Sequence, residues 1–184
     1  MSVFGIVAFA TLACMPPDAL AQTATRKFRF WQGHTGFTTS IFFNQLGGVI
    51  TLGSPGDQYY VSINSTAKLF GGFYASTRRQ TTGAKRIDVG RARMTLLREL
   101  LAAELNCAAF GCSSAAQSAI YQGSYLFASG AATRDDLLSS AAELRVDNRS
   151  GAHVDIPAGL GDPGKATASI SKAIANTAFW DFVF

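Results

Sequence analysis

The chain has 184 residues, of which 48% are hydrophobic, 11% aromatic and 15% charged. So high an apolar content with so few charges excludes an intrinsically disordered chain. The length fits one domain with a small extension, and it excludes a two-Rossmann enzyme, a full (β/α)8 barrel and a long repeat array.

An export signal is predicted at the N-terminus. Residues 3–13 form an apolar run too short for a membrane-spanning helix, which needs about 20 residues. Pro16-Pro17 and the small-x-small sequence Ala19-Leu20-Ala21 follow, so that residues 1–21 are interpreted as a signal peptide cut after Ala21. No Lys or Arg precedes the run, and two alternatives stay open: a buried N-terminal segment, or a lipoprotein attached at Cys14. The favoured location is extracellular or periplasmic, with no transmembrane helix after cleavage.

Cleavage would leave two cysteines, Cys107 and Cys112. In an oxidising compartment this close spacing predicts one local disulfide. Zinc is the weaker alternative, because it takes four ligands and the chain has only two histidines, His34 and His153. We therefore expect a disulfide and neither a metal nor another cofactor.

Positive charge is concentrated between residues 78 and 98, where Asp88 is the only acid. Loss of Asp18 with the signal would raise the formal charge from +4 to about +5. Such a segment fits an anionic polysaccharide or lipid surface, or else a solvated face. Nucleic acid is disfavoured, since no aromatic side chains interleave the basic ones. The candidate anion-binding residues are Arg78, Arg79, Lys85, Arg86, Arg91 and Arg93.

Residues 22–63 are predicted to form a β- and loop-rich N-terminal segment. Phe28-Arg29-Phe30 alternates as strands do, and Ile41-Phe42-Phe43 is a β-prone cluster. Residues 54–57 (Ser-Pro-Gly-Asp) predict a turn between the β-prone runs 49–52 and 59–63.

Residues 64–184 are predicted to form a helical domain. The fold class is mainly α with that β/loop-rich N-terminal part, a small antiparallel bundle of about four to five helices. Helix spacing and caps predict helices over about 64–76, 88–106, 114–128 and 133–148, and one after Asp162-Pro163. The second of these is expected to be the central buried helix, with Leu97 and Leu101 in the core. The apolar ending 179–184 suggests a docked strand or a chain cut inside a longer protein.

The helical segment resembles a known module. Leu100-Leu101-Ala102-Ala103-Glu104-Leu105-Asn106 and, later, residues 137–151 are similar to the "LIAAxLN … LAxxLDxxNxG" pattern of a helical module of bacterial secreted and cell-surface proteins. The resemblance covers residues 86–151. It implies an extracellular module with no known catalytic residues.

Catalytic motifs are few. The chain has no G-x-S-x-G elbow and no phosphate-binding G-x-x-x-x-G-K loop. His34 and His153 are candidate general bases in loop-like settings. The stretch Asp147–Asp162 offers oxygen ligands that calcium would accept, but it lacks the residue order of an EF-hand loop. Asn64 and Asn148 begin glycosylation sequons whose use the sequence leaves open.

Three functions follow from these patterns. The first is a non-enzymatic secreted or cell-surface structural or attachment domain, which should lack a deep polar cleft. The second is an extracellular protein that binds an anionic polysaccharide or lipid surface through the 78–98 segment. The third is a small secreted hydrolase that uses His153 and Asp155.

Overall fold

The structure is a computed structural model that describes residues 24–184; the predicted signal peptide and Cys14 lie outside the described residues. The described part is mainly helical, with more helices than the four to five predicted. The helices are α1 (Phe28–Gly33), α2 (Thr35–Asn44), α3 (Thr66–Tyr74), α4 (Asp88–Phe110), α5 (Ser114–Ala128), α6 (Arg134–Ser150) and α7 (Ala168–Ile174). The strands are β1 (Ile50–Leu52) and β2 (Val61–Ile63), and 3-10 turns lie at Ala158–Leu160 and Ala178–Trp180.

The segment 28–44 is helical, so the strands expected at Phe28-Arg29-Phe30 and Ile41-Phe42-Phe43 are wrong. Aromatic and β-branched residues have high intrinsic strand propensity, but packing overrides it here. Trp31 and Phe37 stack with ring centroids 5.7 Å apart. Both helices pack on α4, and Trp31 is fully buried.

The predicted hairpin is confirmed. Strands β1 and β2 pair antiparallel, with Ile50 opposite Ile63 and Leu52 opposite Val61. These four side chains are buried, whereas Thr51 between them is exposed, as strand alternation requires. Asp57 closes the turn by donating its backbone N–H to the carbonyl of Ser54 at 3.0 Å.

Helix punctuation in the second segment is confirmed in most places. Thr133 and Asp136 form the expected capping box of α6, and Ser65 caps α3. The cap of α5 is Ser113, one residue before the expected Ser114, because its hydroxyl accepts the N–H of Ala116 at 3.1 Å. The last helix begins at Ala168, later than Asp162-Pro163 predicted. Residues 161–167 form no regular element, and the Asp162 carboxylate accepts the N–H of Gly164 at 2.8 Å instead of capping a helix.

Helix α4 is the centre of the core, as predicted, and Leu97 and Leu101 are fully buried. It packs against α5 and α6, and Gly123 allows the close approach. A Cβ at that position would lie 2.9 Å from Leu100. The C-terminus forms no strand within the described chain; Trp180 is buried instead and donates its indole N–H to the carbonyl of Lys68 at 3.0 Å.

Candidate functional site

The two late cysteines lie at disulfide distance, with Cα atoms 4.6 Å apart. Cys107 is in the last turn of α4, and Cys112 precedes α5. The intervening Gly111 has a φ of 87°, a left-handed conformation that favours glycine. The predicted pair is therefore confirmed, and it holds the corner between the two helices.

The basic segment divides into buried and exposed arginines. Arg86 donates to the carbonyl of Ser76 at 3.1 Å and pairs with Asp181 at 3.4 Å. Arg93 donates to three carbonyls at the end of α5, those of Leu126, Phe127 and Ser129. Burial lowers the pKa of both guanidinium groups. Although the sequence grouped them with the anion-binding candidates, the structure turns both into the protein.

The other four candidates, Arg78, Arg79, Lys85 and Arg91, are exposed. Arg78 and Arg91 line a shallow pocket of about 260 Å³ together with Arg134 from α6. We call Arg78, Arg91 and Arg134 the arginine pocket. Two of its members have acidic neighbours: Arg91 pairs with Asp88, and Arg134 with Asp135 at 2.8 Å. No sequence pattern could have joined Arg134 to this group, because it lies far along the chain.

A cleft of about 620 Å³ lies between the hairpin and α5. The hairpin forms one wall and one face of α5 forms the other, while Glu104 and the disulfide come from the corner of α4 and α5. We call it the tyrosine cleft. Its lining residues are Thr51, Gly53, Ser54, Asp57, Glu104, Cys107, Cys112, Gln117, Ile120, Tyr121, Ser124 and Tyr125.

Two hydrogen bonds fix the walls of the tyrosine cleft. Gly53 donates its N–H to the Ser124 hydroxyl at 2.9 Å, and Tyr59 donates its N–H to the Ala128 carbonyl at 3.0 Å. Gly53 has a φ of 77°, and a Cβ there would lie only 2.1 Å from the Ala128 Cβ. Only glycine lets the hairpin approach α5 this closely.

Glu104 is the half-buried carboxyl of the cleft. Burial raises its pKa above the ordinary value. Within residues 24–184 its side chain has neither a hydrogen-bond nor an ion-pair partner. Asp57, the second acid in the lining, accepts the N–H of Ser54 at 2.7 Å. No sequence pattern gave either acid a binding role, although Asp57 belongs to the predicted turn. The available signal was the spacing of residues 117, 120–121 and 124–125, which places them on one face of α5.

The histidines do not join this site. The His34 ring stacks on Phe30 with centroids 4.1 Å apart, and its Nδ1 lies 2.9 Å from the Phe30 carbonyl. His153 and Asp155 are both exposed, and neither lines the tyrosine cleft. Among the described residues, no three His, Cys, Asp or Glu side chains gather as metal ligands. The tyrosine cleft holds two carboxyl groups, those of Asp57 and Glu104, and its described lining includes neither histidine.

A buried polar network links α1, α4 and α6. Asn106 accepts the indole N–H of Trp31 at 3.1 Å and donates to Asn148 at 2.8 Å. Asn148 donates in turn to Glu99, whose carboxylate pairs with Arg145 at 2.9 Å. Because the Asn148 side chain is committed inside the protein, a glycan there would break this network, whereas Asn64 is exposed.

Helices α1–α7 include none that combines the length and apolarity needed to cross a bilayer. Comparison of the chain with protein-family models, with curated proteins and with solved structures gives no match.

Proposed function

We propose that this chain is a non-enzymatic extracellular attachment domain that holds an anionic surface polysaccharide at the arginine pocket. The observation that carries the proposal is the meeting of Arg134 with Arg78 and Arg91 around one concavity of about 260 Å³. Guanidinium groups bind sulfate and carboxylate groups through paired, charge-assisted hydrogen bonds. Three guanidinium groups around one concavity therefore suit a sulfate or carboxylate group of a polysaccharide.

The charges around the pocket leave room for a ligand. Asp88 and Asp135 each pair with one arginine, but Arg78 is exposed and has no ion-pair partner within residues 24–184. Exposed ion pairs contribute only about 0–1 kcal/mol, so an incoming anion can compete for Arg91 and Arg134. Arg79 and Lys85 pair across an isolated bridge in the adjoining loop and add further exposed positive charge.

The extracellular location is supported by two features. The Cys107–Cys112 pair suits an oxidising compartment. The N-terminal apolar run with its small-x-small sequence supports export.

Retention on a heparin column in a salt gradient tests the proposal. The triple variant Arg78→Ala, Arg91→Ala and Arg134→Ala should elute at clearly lower salt than the unchanged protein. The matched control is Arg149→Ala, Lys165→Ala and Lys172→Ala, which removes the same charge from exposed positions elsewhere. Equal shifts for both triples would mean that retention follows net charge alone, and the proposal would be wrong. Arg86 and Arg93 stay unchanged because both are buried.

Vesicles of anionic lipid provide the second arm of this test. We expect the triple variant to lose retention on heparin, and the unchanged protein to bind heparin more strongly than vesicles that contain phosphatidylglycerol. Stronger binding to the vesicles would contradict the polysaccharide as the ligand.

A further inference from the structure

The tyrosine cleft is a second concave site, and its charge is opposite to that of the arginine pocket. Among the described residues that line it, Asp57 and Glu104 are acids and none is Lys, Arg or His. A polyanion would be repelled there. Its ligand therefore differs from the one proposed for the arginine pocket, and a neutral molecule suits the cleft better.

Two exposed aromatic rings border the cleft. Tyr121 and Tyr125 are 71% and 58% exposed and lie one helical turn apart on α5. Within residues 24–184, neither ring packs against another ring and neither hydroxyl forms a hydrogen bond. Large aromatic side chains left in water beside a concavity mark binding surfaces, because their rings supply apolar area at little entropic cost.

The rest of the lining is mostly polar. Thr51, Ser54 and Gln117 bring hydroxyl and amide groups, and the partnerless Glu104 carboxyl adds acceptors. Ile120 is the one aliphatic side chain among the described residues that line the cleft. A ligand with a flat apolar face and many hydroxyl groups would satisfy both the rings and the polar lining.

Contacts within the protein fix the walls of the tyrosine cleft before a ligand binds. The Gly53–Ser124 and Tyr59–Ala128 hydrogen bonds tie the hairpin to α5, and the disulfide fixes the corner beside Glu104. A preformed site avoids the cost of ordering its walls when the ligand binds. A volume of about 620 Å³ lies within the range of small-molecule sites.

The geometry points to the tyrosine cleft as a binding site for a short, neutral oligosaccharide, whose sugar rings stack on Tyr121 and Tyr125 while its hydroxyl groups bond to the polar lining. Glu104 accepts a hydroxyl hydrogen bond in this arrangement. Its raised pKa is consistent with a carboxyl that has lost water and gained no protein partner.

Titration calorimetry with three soluble trisaccharides tests this site. The probes are cellotriose, triacetylchitotriose and the deacetylated, cationic chitosan trimer. We expect at least one neutral probe to bind, and Tyr121→Ala and Tyr125→Ala each to weaken it by about three- to tenfold. Tyr60→Ala is the matched control, since Tyr60 is exposed at 37% and lies outside the cleft lining.

Three outcomes would overturn the inference. They are no binding of either neutral probe, binding of the cationic trimer alone, and binding that Tyr60→Ala weakens as much as the cleft variants do. Circular dichroism and the melting temperature of each variant verify that the fold is kept. The triple variant of the arginine pocket should bind the neutral probe with unchanged affinity, so that the two proposals fail separately.

Discussion

Arg93 lies over the ring of Tyr59, with the guanidinium carbon 3.9 Å from the ring centroid. The same guanidinium donates to the last carbonyls of α5. One side chain of α4 thus binds both walls of the tyrosine cleft, because Tyr59 belongs to the hairpin and those carbonyls end α5. A buried charge is stable here because hydrogen bonds and a ring face replace its water.

Replacement of Arg93 by Ala should lower the free energy of unfolding by about 3–5 kcal/mol, because it leaves three carbonyls without their donor and opens a cavity. Urea unfolding measures the change. Arg91→Ala, two residues earlier on the same helix, should change stability by less than about 1 kcal/mol, because its ion pair with Asp88 is exposed. Similar losses for the two variants would contradict the burial of Arg93.

Leu101→Ala should cost about 2–5 kcal/mol, because the fully buried side chain leaves a cavity in the centre of the core. A Cβ atom added at Gly72 would lie only 2.6 Å from the Cδ1 atom of Leu101, which shows how closely α3 and α4 pack. Thermal or urea unfolding gives the value. Val146→Ala is the control, since Val146 is 68% exposed. A loss under about 0.5 kcal/mol for Leu101→Ala would place this face of α4 in solvent.

Removal of the disulfide by Cys107→Ser with Cys112→Ser should cost about 2 kcal/mol, the chain-entropy value for so short a loop. The fold should persist, because the core of α4, α5 and α6 does not depend on this loop. Unfolding in urea with and without a reductant measures the effect, and the reductant should have none on the double variant. Loss of the whole fold would show that the bridge supports far more than one corner.

Glu104→Gln should stabilise the protein at neutral pH, by an amount that disappears in acid. The folded-state pKa of Glu104 is raised, so the folded protein keeps a proton that the unfolded chain has already released. The stabilisation that protonated Glu104 gives the folded protein is therefore fully present below the ordinary glutamate pKa. It is lost as the pH rises through the raised pKa of Glu104 in the folded protein. Unfolding curves of both proteins between pH 3.5 and pH 7, a range chosen around the ordinary pKa of about 4.3, measure the difference. A constant difference across this range would contradict the burial of the carboxyl.

The N-terminal segment shows where sequence patterns mislead. Phe28-Arg29-Phe30 and Ile41-Phe42-Phe43 have the composition of strands, yet both lie in helices. Ile41 and Phe42 are buried in the core from their helix, and within residues 24–184 no strand lies beside either segment to pair with it. Residues 50–52 and 61–63 kept their predicted structure because a local turn brings the two strands together.

The sequence by itself determined the features that depend on near neighbours. The capping box of Thr133 and Asp136, the apolar face of α4, the hairpin turn and the closely spaced cysteines all arise from residues a few positions apart.

Tertiary structure decided the rest. Arg93 turns inward because carbonyls more than 30 residues away accept its hydrogens, and Arg134 joins Arg78 and Arg91 because α6 packs beside α4. The tyrosine cleft likewise exists only because the hairpin lies against α5. Desolvation and long-range packing, which no local pattern encodes, assign these side chains their roles.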